Sequence, residues 1–203
     1  GGELPFIKQF GGYLVTEVSK INNFSLRKFR ENYLKKLSSI SKNCSIMTDK
    51  LPHNFRYLGL ITAVFPNAKI VHVKRDPIAV CWGNFKQYFE SQSLGYCYSL
   101  DDTISYYKLY ENLMTFWQKS FGSRIYNLDY ELLTMNQKTE TLKLIQYVGL
   151  EWNEKCLYPQ YNARTVKTAS NIQIRKKVYQ GSSEQWKKYE PFIRNKLSYL
   201  LKK

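Results

Sequence analysis

An α/β fold, a parallel sheet flanked by helices, is predicted by three features of the sequence. Short apolar runs at 70–74 and within "RIYNLDY" read as buried strands. Segments with apolar residues at helical spacing stand before and after each of them. Strands that alternate with helices pair in parallel, because every connection must cross back over the sheet. The chain's 203 residues suit one α/β domain with a real core, and 1–203 is read as a single domain.

The elements follow in order. Phe24 to Ile40 places apolar residues at helical spacing with basic residues between them, an amphipathic helix. A short extended piece ends at Pro52, a helix runs from about Asn54 to Phe65, and a Pro-Asn turn leads into the strand "IVHVK". Asp76 followed by Pro77 is an N-cap with proline at the first helical position, so a helix starts there and runs to about Glu90. Leu100 to Phe121 opens with Asp101 and Asp102 and reads as a long helix. "RIYNLDY" is the second strand, and "MNQKTETLKLIQYVGL" is a helix closed by Gly149. The basic stretch "KTASNIQIRKKVYQGSSEQW" reads as a loop, and Ser183 to Leu201 as the last helix.

Composition narrows the function. Hydrophobic content of 43% marks a globular chain. Lysine and arginine number 31 against 16 acids, a formal charge of +15. Either a polyanionic partner or a solvated basic surface accounts for that excess. The four cysteines are scattered without a C-x-x-C pair and only two histidines occur, which argues against a zinc site and gives a metal-free reading. Scattered thiols fit a reduced, cytoplasmic setting. No apolar run reaches spanning length, and no signal peptide is visible. The chain starts with Gly-Gly and without methionine, which reads as a cut inside a longer protein.

The junction "KRDP" carries the most specific chemistry. In open α/β sheets, ligands bind beyond the carboxyl ends of the strands, where helix N-termini offer free N–H groups. Arg75 at that edge adds a planar fork of donors that suits phosphate. Two readings stand side by side: Arg75 grips an anion, or it pairs with a nearby carboxylate.

The run "TDKLPHNFRYLGLITAVFPNAKIVHVKRDP", continued through "LDYELL" and "TASNIQIRKKVYQGSSEQWKKYEPF", resembles sulfotransferases. The likeness is strongest to the bacterial enzymes that carry tetratricopeptide repeats and to the protein-tyrosine sulfotransferases. It covers nearly the whole chain, with the motifs in the family's order. The resemblance implies transfer of a sulfuryl group from 3′-phosphoadenosine 5′-phosphosulfate (PAPS) to a hydroxyl or amine. It also implies a fold like that of the P-loop nucleotide kinases.

The implied roles fall on particular residues. Arg75 matches the arginine that grips the cofactor's 3′-phosphate. Where the family usually places a serine to share that phosphate, this chain has Gly83, whose N–H is a partial substitute. Tyr130 matches the aromatic residue near the adenine. Ser170, Arg175 and Lys176 match the loop and basic residues near the cofactor phosphates, although an "IRKK" run is also what a solvated surface carries. Trp186 resembles the tryptophan that anchors this loop, a packing role. Lys50 matches the lysine that approaches the leaving oxygen, where an ammonium stabilises the charge built up in a loose in-line transfer. Glu3, in "GGELP", matches the glutamate that takes the acceptor's proton; His53 and His72 are the alternative bases.

The family's first strand and its phosphate loop, of the type P-R-S-G-T-[TS], have no counterpart in these residues. The expected fold therefore lacks that N-terminal strand and loop. Their loss is expected to remove the sheet's central strand and leave its two neighbours with unpaired edges. The acceptor is a peptide tyrosine, a saccharide or a small alcohol or amine. The alternatives are a nucleotide-binding pseudoenzyme and a nucleic-acid-binding protein. The last is disfavoured, because the charge is spread along the chain and no nucleic-acid-binding motif occurs.

Overall fold

The computed structural model describes residues 3–40, 44, 46–162 and 175–201. They form a mostly helical α/β structure with a small parallel sheet. The chain divides into two compact units, Gly1–Ala68 and Lys69–Lys203.

The first unit is helical. α1 (Phe6–Thr16) and α2 (Asn23–Ile40) are followed by a 3₁₀ segment, Pro52–Tyr57, and by α3 (Leu58–Val64). The expected helix over 54–65 thus begins as a tighter 3₁₀ turn with Pro52 in its first turn, and it stops before Pro66. α1 was not among the expected helices, since adjacent Gly11 and Gly12 weaken a helical pattern. Packing explains Gly11: a Cβ there would lie 2.4 Å from Leu60 Cδ2 and 3.2 Å from the Phe29 ring. The glycine lets α1 approach closely, and Ile7, Leu14, Phe29, Tyr33 and Leu60 close the core around it.

The second unit carries the sheet. β1 (Ile70–Lys74) and β2 (Ile125–Asp129) pair in parallel, with Ile70 opposite Ile125 and Lys74 opposite Asp129. Because they pair directly, no strand stands between them, which corrects the expectation of two neighbours parted by a missing central strand. α4 (Pro77–Phe85) follows β1, α5 (Leu100–Phe121) precedes β2, and α6 (Tyr130–Met135) and α7 (Gln137–Val148) follow it. α8 (Glu190–Leu201) ends the described chain after a 3₁₀ segment, Ser182–Tyr189. α4 stops before the expected Glu90, and the chain turns through a 3₁₀ segment that sinks Cys97 to 1% exposure. α7 ends on Gly149 at φ 76, the left-handed closure the sequence marks. Ile78, Cys81, Ile104, Trp186 and Leu197 form the core of this unit, so Trp186 packs as expected.

Candidate functional site

Both strands end the same way. β1 runs into Arg75 and then Asp76, whose carboxylate accepts from the N–H of Ala79 at 2.7 Å and caps α4. β2 ends at Asp129, which accepts from the N–H of Leu132 at 2.8 Å and caps α6. An N-cap of this kind contributes about 1 kcal/mol and stops the strand sharply. With Lys74 opposite Asp129, Arg75 and Tyr130 emerge side by side at the carboxyl edge of the sheet.

The side chains there form one cluster. The Arg75 guanidinium lies over the Tyr130 ring, 4.9 Å from its centroid. Its Nε donates to Ser183 Oγ at 3.0 Å, and an Nη2 bond reaches Ser182 Oγ at 3.4 Å. The Tyr130 and Ser182 hydroxyls share a hydrogen bond of 2.8 Å. Ser183 donates to Glu131 Oε1 at 2.5 Å, and the same oxygen accepts from the Asp76 N–H at 3.2 Å. Arg75 has no carboxylate partner among the described residues, which removes the ion-pair reading of this arginine. A half-buried guanidinium facing hydroxyls and an aromatic ring, with the Glu131 carboxylate held off behind Ser183, is a donor set for an anion beside a flat ring.

Ser182, Ser183 and Glu131 were not singled out in the sequence. The signal was there, since "GSSEQW" and "DYELL" lie inside the matched motifs, but nothing in the spacing joins positions so far apart. Gly83 lies on α4, and a Cβ built there meets nothing within 4 Å. Arg175 donates through Nη1 to the Asn162 carbonyl, and Lys176 is exposed. Ser170 lies outside the described residues.

A second pairing sits within the first unit. Lys50 Nζ and the Glu3 carboxylate form an ion pair, with side chains 64% and 38% exposed. Such an exposed pair adds little to stability and keeps both charges within reach of a ligand. Of the alternative bases, His53 has its Nε2 buried; burial first, then the charges of Arg56 and Lys8, hold its pKa below the usual value. His72 is committed within the sheet unit. The Asn127 amide nitrogen donates to Gln118, so its oxygen faces His72 Nδ1 at 2.8 Å. That leaves Nε2 to accept from the Tyr110 hydroxyl at 2.5 Å. Burial lowers the His72 pKa, the Asn127 bond raises it, and Lys74 lowers it. Burial, followed by the charge of Glu111, pushes the Tyr110 pKa up to about 12. His72 is thus a structural partner of Tyr110 and Asn127.

No group of three or more metal-ligating side chains occurs among the described residues, and no described helix is long and apolar enough to cross a membrane. Residues 16–154, more than half of the chain, match the Sulfotransferase family. The chain is also 34% identical, over 208 aligned positions, to an uncharacterized protein of Aquifex aeolicus (strain VF5). That match covers 95% of this chain and 27% of the relative, so the chain spans about a quarter of the relative's length.

Proposed function

Because the chain belongs to the sulfotransferase family, we propose that it is the nucleotide-binding and transfer portion of a PAPS-dependent enzyme acting on a hydroxyl or amine acceptor. Both compact units are parts of one sulfotransferase domain on this reading. The observation that supports it most is Arg75, held at the carboxyl edge of two parallel strands with no carboxylate partner among the described residues. The donor set fits the group: guanidinium and hydroxyl hydrogens suit a phosphate monoester, and the Tyr130 ring suits a flat base.

PAPS supplies an activated sulfuryl group on a phosphosulfate anhydride. The residues of this chain supply the rest. Arg75 binds the 3′-phosphate, and Tyr130 orients the nucleoside. Lys50 stabilises charge on the leaving oxygen, an interaction stronger in the transition state than in the ground state. Glu3 takes the acceptor's proton, a task that contributes ~10²–10⁴-fold. In the first unit Glu3 is ion-paired with Lys50, and both side chains are exposed. The setting on this reading is the cytoplasm.

The test is turnover. The full-length protein, incubated with PAPS and a panel of phenols, amines and saccharides, is expected to release adenosine 3′,5′-bisphosphate only when an acceptor is present. Binding of the bisphosphate without turnover of any acceptor would support the pseudoenzyme. Neither binding nor turnover would refute both readings.

A further inference from the structure

We infer that Ser182, and not residue 83, provides the hydroxyl that shares a nucleotide's 3′-phosphate with Arg75, while Ser183 and Glu131 are positioning residues that aim the guanidinium. The inference rests on the nucleotide-binding reading above and names the chain's own donors for it.

Counting hydrogens separates the two serines. A serine hydroxyl has one proton to donate and two lone pairs. Ser183 accepts from Arg75 Nε at 3.0 Å and gives its only proton to Glu131 at 2.5 Å. It is 8% exposed, so it has no proton left for a ligand and little access to one. Ser182 differs. Arg75 Nη2 approaches its oxygen at 3.4 Å, and the Tyr130 hydroxyl lies 2.8 Å away. Either hydroxyl can donate in that pair; in the arrangement that serves a ligand, Tyr130 donates and Ser182 accepts. Both lone pairs of Ser182 are then used, and its proton points elsewhere. Ser182 is half-buried, open enough to meet an anion.

Arg75 shows the same division. Nε is committed to Ser183, and Nη1 has no acceptor among the described residues. The free face of the fork and the free Ser182 proton belong to one cluster, which is what a phosphate oxygen pair needs. Glu131 Oε1 accepts from both Ser183 and the Asp76 N–H, tying the 181–183 turn to the strand end. Gly181, at φ 84, adopts the left-handed conformation that starts this turn. Position 83 offers no hydroxyl, and the space beyond its backbone is open.

The experiment compares two ligands on the full-length protein by calorimetry. The affinity ratio between adenosine 3′,5′-bisphosphate and adenosine 5′-monophosphate isolates what the 3′-phosphate adds. Ser182→Ala is expected to lower that ratio about tenfold, with monophosphate affinity unchanged. If the alanine variant does not fold, Ser182→Cys tests the same donor, since a thiol of similar size is a weak donor. Glu131→Ala is expected to lower the ratio as well. Glu131→Gln is expected to keep it, because an amide oxygen accepts the same two bonds; a purely electrostatic role for Glu131 would not be rescued this way. A wild-type protein with no preference for the bisphosphate would overturn the nucleotide reading itself. A clear wild-type preference that Ser182→Ala and Ser182→Cys both retain would overturn this inference and leave that reading standing.

Discussion

Replacing Arg75 by alanine is the sharpest perturbation of the proposed site, because its effects on folding and on binding separate. In the folded protein the variant loses the 3.0 Å bond to Ser183, the longer 3.4 Å bond to Ser182 and the contact over Tyr130. Ser183 keeps its bond to Glu131, so no donor is stranded. The charge-assisted bond is worth ~1.5–3 kcal/mol and the ring contact ~0.5–1 kcal/mol. At about 2–4 °C per kcal/mol for a chain of this size, the melting temperature should fall by roughly 4–16 °C. Binding should change as well, and is read well below the variant's own melt. A charge-assisted contact to phosphate is worth ~1.5–3 kcal/mol, which corresponds to roughly 10- to 150-fold weaker binding of adenosine 3′,5′-bisphosphate. Arg75→Lys keeps the charge but lacks the fork and the Nε bond, so its affinity should lie between wild type and alanine. The loss in Arg75→Ala should also shrink as salt rises, since part of it is Coulombic attraction. Calorimetry on the full-length protein, with a melt of each variant as control, measures all of this. An alanine variant that melts normally and binds the bisphosphate with wild-type affinity refutes the reasoning.

Three further perturbations probe other links. Gly83→Ser places a hydroxyl where a Cβ meets nothing within 4 Å, so it should fold normally. It should restore bisphosphate binding to Ser182→Ala more than it improves wild type; equal gains in both backgrounds would show that the two positions serve different atoms. In kinetic assays, Lys50→Ala should slow transfer to every acceptor, whereas the loss in Glu3→Gln should grow with the pKa of a series of substituted phenols. A Glu3→Gln enzyme with wild-type rates across the series would move the base elsewhere. The last concerns Asp49, whose carboxyl burial holds above its usual range, against the lowering effect of the 2.7 Å bond from the Tyr33 hydroxyl. A carboxyl raised in the fold binds its proton more tightly in the native state, so its contribution to stability falls as pH rises from the unfolded value near ~4 through the native one. Asp49→Asn should therefore gain on wild type across that window in chemical denaturation, and a pH-independent difference would contradict the assignment.

Much of the architecture is written locally in the sequence. The apolar runs at β1 and β2, the Asp76-Pro77 start of α4, the acidic opening of α5 and the Gly149 closure of α7 depend on a few neighbouring residues, so the sequence alone determines them. The parallel pairing of the two strands also follows from their alternation with helices. For the same reason Arg75 and Tyr130 could be named from their motifs. Other features depend on distant partners. α1 forms through a Gly-Gly pair because Leu60 and Phe29 need the space a side chain would take. α4 stops short of Glu90 where Cys97 and Leu100 enter the core. His72 is bound by Tyr110 and Asn127, which no spacing reveals. The absence of a carboxylate partner for Arg75 among the described residues, and the Ser182, Ser183 and Glu131 contacts around it, required residues from 75, 130–131 and 181–183 to meet. Short-range rules of capping and periodicity reach only a turn or two along the chain. The direction of each hydrogen bond in the cluster is set by which groups packing brings within 3.5 Å, and only the tertiary structure decides that.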